Sequence, residues 1–278
     1  MNIQDSIHHF SKALSDVSED ALLETRLILQ KAAGLSRSAV LSHPERELTK
    51  NELKEITDMV SLRSTGYPLP YILGKWEFYG NAFIVNPTVL IPRPETELLV
   101  EEACAWLKQH PEIHTGYDIG TGSGCIAISL LLENKTLRMT AVDLHRSALC
   151  TAISNAERHQ VQDRFFPVQS SLFSSFSDGA QLICANLPYI PSETCKTIEP
   201  ARFEPLSALD GGDDGFKLYR LLFQQLSNKM KREYLILCEI EYRQRALALE
   251  TAAAFFPDAE ISVREDLAGQ PRLLKIKN

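Results

Sequence analysis

Apolar residues recur at helical spacing through the first seventy-odd positions. Leu22, Leu23, Leu27, Ile28 and Ala32 outline one helix, with Gly34 as its C-terminal stop. Thr49-Lys-Asn-Glu52 is a capping-box pattern. It opens a second helix with the apolar stripe Leu53, Ile56 and Val60, which Gly66 ends. Residues 1–75 therefore read as a small helical bundle. Two roles are open for it: packing on the remainder of the chain, or touching a partner as a separate module. Beyond it the period changes. Trp76-Glu-Phe-Tyr79 and Ala82-Phe-Ile-Val85 flank Gly80-Asn81, which signals a β-hairpin, and Pro87, Pro92 and Pro94 stiffen the segment after it. Residues 76–93 are the predicted connector.

From 94 to 278 helical patterns and apolar runs alternate. The spacing predicts helices over 95–109, 124–133, 146–158, 215–229 and 242–255. It predicts strands over 116–119, 138–143, 164–169, 180–185 and 233–240, with a closing hairpin of 260–265 and 272–277 around Gly269. Such alternation specifies an α/β domain, an open and mostly parallel sheet with helices on both faces. Ligands of such sheets bind beyond the C-terminal strand ends, where the strand order reverses.

Composition narrows the class without naming an activity. With 44% hydrophobic and 23% charged residues, the 278-residue chain is that of an ordinary globular protein. No run approaches the roughly 20 apolar residues of a membrane span. The opening Met-Asn-Ile-Gln-Asp-Ser lacks the basic and apolar regions of a signal peptide, so a cytoplasmic location is expected. A net charge of −7 disfavours tight non-specific DNA binding. The six cysteines form no C-x-x-C pair and are read as reduced thiols. His110 and His114 are separated by Pro111 and read as a solvated loop, so no metal is expected.

Two motifs carry chemistry. Asp118-Ile-Gly120-Thr121-Gly122-Ser123-Gly124 ends a strand and opens a helix. Its G-x-G-x-G spacing differs from the dinucleotide fingerprint, because Cys125 stands where the third glycine belongs. Acidic Asp118 would repel a phosphate and suits a ligand bearing an ammonium group; its alternative role is to cap the helix. Asp143 ends the next strand, where a carboxylate can accept from a ribose diol; its alternative is a solvated strand end. A nucleoside with a cationic tail, S-adenosylmethionine, fits this pair. The second motif, Asn186-Leu187-Pro188-Tyr189, follows an apolar run from Gln181 to Ala185. The Asn carboxamide oxygen and the next carbonyl can each accept one N–H of a planar NH2 group, while the Tyr ring covers its face.

At this point the chain resembles the class I S-adenosylmethionine-dependent methyltransferases, and within them the peptide chain release factor glutamine methyltransferases (the HemK/PrmC family). The resemblance spans nearly the whole chain. It is carried by Val89-Leu-Ile-Pro-Arg-Pro-Glu-Thr-Glu97, Asp118–Gly124, Phe203-Glu-Pro205 with Ala208-Leu209, Gly211-Gly212 and Asp214-Gly215, and Asp266-Leu-Ala-Gly-Gln-Pro-Arg272. The implied architecture is a class I methyltransferase sheet over 94–278, mostly parallel with an antiparallel last strand. An N-terminal helical substrate-recognition domain over 1–75 and a connecting β-hairpin over 76–93 precede it. The implied acceptor is the glutamine of the Gly-Gly-Gln motif in class 1 release factors. By the same resemblance Gly120–Gly124 wrap the methionine moiety, Asp143 holds the ribose, and Leu172 lies on the adenine. Asn186 bridges cofactor and substrate, and Asn186 to Tyr189 grip the glutamine. The protein is expected to act as a monomer, without a direct nucleic-acid substrate.

Two positions depart from the family pattern. Leu187 stands where its tetrapeptide has Pro, and Ser171 where relatives often carry an acid for the adenine amino group. Asn-Leu-Pro-Tyr is also common in rRNA adenine dimethylases, so this motif alone does not choose the acceptor. Arg93, Glu95 and Glu97 form a charge cluster that either shapes the site entrance and substrate contact or makes a surface ion pair at a helix start. Phe203-Glu204-Pro205 either lies over the substrate or is a structural loop. Two rival functions remain: methylation of an exocyclic adenine amine in rRNA or DNA, and a non-catalytic cofactor-binding adaptor.

Overall fold

The computed structural model describes residues 1–177 and 179–278. The chain divides into two compact units, Met1–Lys75 and Trp76–Asn278. The first holds helices α1 (Ile3–Leu14), α2 (Ala21–Ala33), α3 (Arg37–Ser42), α4 (Lys50–Arg63) and α5 (Leu69–Leu73). Asn2 caps α1 by accepting from Asp5 N at 2.8 Å. Thr49 and Glu52 close the capping box of α4 from both sides, at 3.2 and 2.7 Å. Gly34 ends α2 in the left-handed conformation. The bundle interior is Ile3, Phe10, Leu14, Ile28, Leu29, Ile56 and Val60. One expectation shifts here: Leu22 and Leu23 are exposed, and α2 buries Thr25 and Leu29 beside the expected Ile28. Arg63 reaches Glu24 at 2.7 Å and the Val17 carbonyl at 3.2 Å, tying the end of α4 to the start of α2.

The hairpin pairs β1 (Lys75–Phe78) with β2 (Asn81–Ile84). Its turn is Tyr79-Gly80, one residue earlier than the sequence suggests. Both residues have positive φ, 50° and 68°, as a twisted two-residue hairpin turn demands. Asn81 instead starts the second strand, and its Nδ2 donates back to the Tyr79 carbonyl at 2.8 Å.

The alternating region then runs α6 (Glu97–Gln109), β3 (Thr115–Ile119), α7 (Cys125–Glu133), β4 (Arg138–Asp143), α8 (Arg146–Arg158), β5 (Phe165–Gln169), β6 (Ala180–Ala185), α9 (Ser192–Cys195), α10 (Lys217–Leu226), β7 (Met230–Glu239), α11 (Arg245–Phe255), β8 (Glu260–Glu265) and β9 (Pro271–Lys277). Helix α10 is shorter than the predicted 215–229, because Gly215 takes φ +74° and Phe216 is not helical. The seven strands lie in the order β5-β4-β3-β6-β7-β9-β8. Strands β5, β4, β3, β6 and β7 are parallel, and β9 runs antiparallel to both its neighbours. Chain order reverses between β3 and β6, which is where such sheets bind ligands.

Alternate side chains of each strand feed two apolar layers. Met139, Ala141, Leu182, Cys184, Leu235 and Leu237 meet α6, α7 and α8 on one face. Val142, Ile183, Ala185, Ile236 and Cys238 meet α10 and α11 on the other. Each fully buried Leu or Phe contributes about 1.5–3 kcal/mol. The hairpin is fastened to this frame by Asn155 of α8, which is fully buried. Its Oδ1 accepts from Ile84 N at 2.6 Å, and its Nδ2 donates to Ile84 O at 3.0 Å and to Ser123 O at 2.8 Å.

Among the described residues no helix is long and apolar enough to cross a membrane. Replacing Thr49 by Ala removes one leg of the capping box and is expected to destabilise the protein by about 1 kcal/mol, read by chemical denaturation.

Candidate active site

The loops leaving β3, β4, β5 and β6 at their C-terminal ends enclose a cavity. Gly120–Ser123, Asp143–His145, Ser170–Leu172 and Asn186–Pro188 line it, joined by Pro92 and Arg93 of the connector and by Pro205. The glycine turn uses φ values of +76° at Gly120, +55° at Gly122 and +81° at Gly124. Gly120 N and Thr121 N donate to the Val142 carbonyl at 2.8 and 2.9 Å, which holds the turn to the end of β4. A Cβ on Gly120 would stand 2.9 Å from Leu187 Cδ2. Glycine there lets the turn approach the tetrapeptide.

The two aspartates do different work. Asp143 is 8% exposed, so it is no solvated strand end. Its Oδ2 accepts from Gly122 N at 3.0 Å and its Oδ1 from His145 N at 2.8 Å. Each oxygen keeps acceptor capacity toward the cavity that the residue lines. Asp118 is fully buried and does not line the cavity. Its Oδ2 accepts from Thr121 Oγ1 at 2.7 Å and from Ala127 N at 3.2 Å, the capping arrangement, while Oδ1 meets no donor among the described residues. Burial pushes its carboxyl up to about 6, against the pull of these two bonds.

Asn186 follows β6 directly, and its carboxamide sits in a polar network. Nδ2 donates to Thr96 Oγ1 and to Glu239 Oε2, each at 3.0 Å. Thr96 gives its own hydroxyl proton to Glu239 Oε2 at 2.5 Å, and the Tyr189 hydroxyl reaches Glu239 Oε1 at 3.2 Å. Both amide protons are therefore engaged. Asn186 Oδ1 meets no donor among the described residues, on a side chain that lines the cavity. Burial, then the neighbouring Glu239, pushes the Tyr189 hydroxyl far above its ordinary range, so it stays a neutral donor. Leu187 N donates to Tyr219 Oη at 3.1 Å, a bond that proline could not make. The hydroxyl of Tyr219 in turn donates to the Glu239 carbonyl. No donor among the described residues reaches the Leu187 carbonyl.

The later glycine motif clasps this tetrapeptide from behind. Gly211 N donates to Ile190 O at 2.8 Å, and Gln244 Nε2 donates to Tyr189 O at 2.9 Å. A Cβ at Gly211 would lie 2.6 Å from Pro188 O, and one at Gly215 would lie 2.1 Å from Tyr189 O. Phe203-Glu204-Pro205 is a brace. Buried Glu204 accepts from Ile91 N at 3.0 Å and from the Arg93 guanidinium, which places Pro205 and Arg93 on the cavity wall. The charge cluster around Arg93 thus separates into three roles. Arg93 pairs with Glu204, Glu97 accepts from Tyr79 N at 2.8 Å, and Glu95 is exposed and does not line the cavity. Ser171 and Leu172 both line the cavity, Leu172 at φ +52°, a conformation costing a Leu roughly 1–2 kcal/mol.

Glu239, Thr96 and Tyr219 were not singled out as site residues from sequence, and Glu204 was named only within the Phe203–Pro205 segment, whose structural reading its bonds to Ile91 and Arg93 favour. Glu239 had a signal: an acid closing the apolar run Leu235-Ile-Leu-Cys238, in the same position that drew attention to Asp143.

The strand order, the glycine turn after β3 and the acid ending β4 define a class I methyltransferase. The hMettl16 catalytic domain, solved in complex with the MAT2A 3'UTR hairpin 6, shares this fold. Its TM-score is 0.56 at 16% identity, over 79% of this chain and 81% of that one. The PrmC N-terminal domain family matches residues 5–74 and the methyltransferase small domain family residues 95–198. The release factor glutamine methyltransferase of Bacillus subtilis (strain 168) is 35% identical over 257 residues, 89% of this chain and 88% of that protein. That of Nitratidesulfovibrio vulgaris (strain Hildenborough) is 35% identical over 281 residues, 98% and 94%. That of Geobacter sulfurreducens is 40% identical over 207 residues, 73% and 71%. The chain belongs to the release factor glutamine methyltransferase family.

Gly215→Ala forces a left-handed alanine against the Tyr189 carbonyl. It is expected to cost at least roughly 1–2 kcal/mol of stability. By moving the tetrapeptide it should also slow turnover about 100-fold, measured by urea titration and single-turnover rates.

Proposed function

We propose that the protein transfers a methyl group from S-adenosylmethionine to the side-chain amide nitrogen of the glutamine in the Gly-Gly-Gln motif of class 1 release factors. The observation that carries this reading is the Asn186 carboxamide. Its two protons are engaged by Thr96 and Glu239, so its oxygen is the group left to accept from a substrate. The similarity to the Bacillus, Nitratidesulfovibrio and Geobacter proteins supports the choice of acceptor.

The residues present fit the cofactor. Gly120 and Gly122 line the cavity with bare backbone, and Asp143 holds acceptor capacity for a ribose diol. Leu172 and Val142 supply apolar wall, and Ser171 offers a neutral acceptor to an adenine amino group. When bound, S-adenosylmethionine supplies a methyl group activated on a sulfonium sulfur. Asn186 Oδ1 and Leu187 O each accept one N–H of the glutamine amide, which orients its nitrogen and enriches it in electrons. Alignment of the reacting atoms at about 3–3.5 Å is the principal catalytic effect. Tyr189 is not among the cavity-lining residues, and its hydroxyl holds Glu239 beside the tetrapeptide. No strong base is needed, because the nitrogen is acidic once methylated and releases its proton to water. Glycines flanking the substrate glutamine let its backbone enter where side chains would clash. The helical unit 1–75 serves as the release-factor recognition module, and the protein works in the cytoplasm as a monomer.

The test is transfer of labelled methyl to a release factor, compared with ribosomal protein, rRNA and DNA. Label confined to nucleic acid would establish the adenine-amine reading, and no label anywhere the adaptor. Asn186→Ala is expected to abolish transfer while leaving cofactor binding weaker but measurable by calorimetry. Asp143→Ala is expected to act mainly on cofactor affinity; an unchanged dissociation constant would remove the ribose role.

A further inference from the structure

Glu239 is 1% exposed and lies at the end of β7, beside rather than in the cavity lining. Three donors converge on its carboxylate, from Thr96, Asn186 and Tyr189. The triangle of Thr96, Asn186 and Glu239 admits one orientation of the Asn186 amide. Thr96 has a single hydroxyl proton, which goes to Glu239, so its oxygen must accept from Asn186. Turning the amide over would set its oxygen against a carboxylate and against a hydroxyl oxygen whose proton is already engaged. We infer that Glu239, acting with Thr96, is a positioning residue that keeps the Asn186 carboxamide oxygen facing the substrate. The inference rests on the proposed function, since it assigns Asn186 Oδ1 to the acceptor amide.

A proton on Glu239 reverses this preference. The carboxylic acid becomes a donor to a turned-over amide, and Asn186 then presents NH2 where an acceptor is required. Burial raises the Glu239 pKa above its ordinary range, the Thr96 and Tyr189 bonds opposing it. The other ionisable neighbours are Arg272 at the start of β9, Glu95 before α6, Cys125 of α7 and Tyr219 of α10. Burial pushes Cys125 up to about 12 and raises Tyr219 well above its ordinary range, so both stay neutral, while Arg272 lowers and Glu95 raises the Glu239 pKa. Turnover therefore falls as pH drops through the Glu239 pKa, at a higher pH than an ordinary carboxylate would give.

The experiment measures kcat, cofactor dissociation constant and pH profile for four variants. Glu239→Met is expected to lower kcat about 100-fold with cofactor affinity unchanged. Glu239→Gln mimics the protonated acid, because its NH2 can donate to a turned-over amide, so it is expected to hold kcat at every pH near the low value that wild type reaches in acid and to lose the acidic limb of the profile. Thr96→Val should lower kcat and Thr96→Ser restore it, a pair that decides the matter should Glu239→Met fail to fold. Wild-type kcat in Glu239→Met or in Thr96→Val, an acidic limb that persists in Glu239→Gln, or losses that follow cofactor affinity would each overturn the inference. Failure of the wild type to label a release factor would instead refute the proposed function. The Asn186 side-chain amide resonances of 15N-labelled protein then read the inference directly. They should titrate with acid in wild type and stay fixed in Glu239→Gln; resonances indifferent to pH would overturn it.

Discussion

The parallel register of β6 and β7 is the constraint on which the site depends. It pairs Ala185 with Cys238, so the residues after them, Asn186 and Glu239, leave adjacent strands side by side. A slip of one residue would turn every side chain of β6 to the opposite face. That slip is resisted on both sides of the sheet, because Leu182 and Cys184 belong to one apolar layer and Ile183 and Ala185 to the other. Ordinary core packing thus sets the position of a polar pair to hydrogen-bond tolerance.

The tetrapeptide is held mostly from outside the cavity it serves. Tyr219 holds the Leu187 amide, Gln244 the Tyr189 carbonyl, and Gly211 the Ile190 carbonyl. These contacts explain how Leu can stand at a position where the family pattern has Pro. A proline ring fixes one dihedral angle, whereas Leu187 keeps an N–H that the buried Tyr219 hydroxyl can fix in space. The glycines at 211 and 215 are required for the same reason, since the clasp brings two loops to backbone contact.

Much of the architecture was legible because it is local. Strands β4 and β6 and helix α8 coincide with the predicted 138–143, 180–185 and 146–158, where apolar periodicity is unbroken. The Thr49 and Glu52 cap was readable from four consecutive residues. Errors arose where a tertiary demand outweighs local pattern. Leu22 and Leu23 look like core yet face solvent, and the hairpin turn moved to Tyr79-Gly80 because both positions need positive φ. Of the site, the cavity-lining motifs were visible as runs. Their supports were not, because Thr96 and Asn186 lie 143 and 53 residues from Glu239 in the chain. Asp118 shows the converse: its place in a ligand-binding motif suggested contact with the ligand, and the fold uses it to brace the turn.

Asn155 joins two distant pieces of backbone by imitating a strand. Its amide pairs with Ile84 as a neighbouring peptide would, and the same NH2 group reaches the Ser123 carbonyl inside the glycine turn. The connector hairpin and the ligand turn consequently form one cooperative unit. Neither can fray without loosening the other, so protection against solvent exchange in the turn is set as much by the hairpin's hold on α8 as by the turn's own bonds.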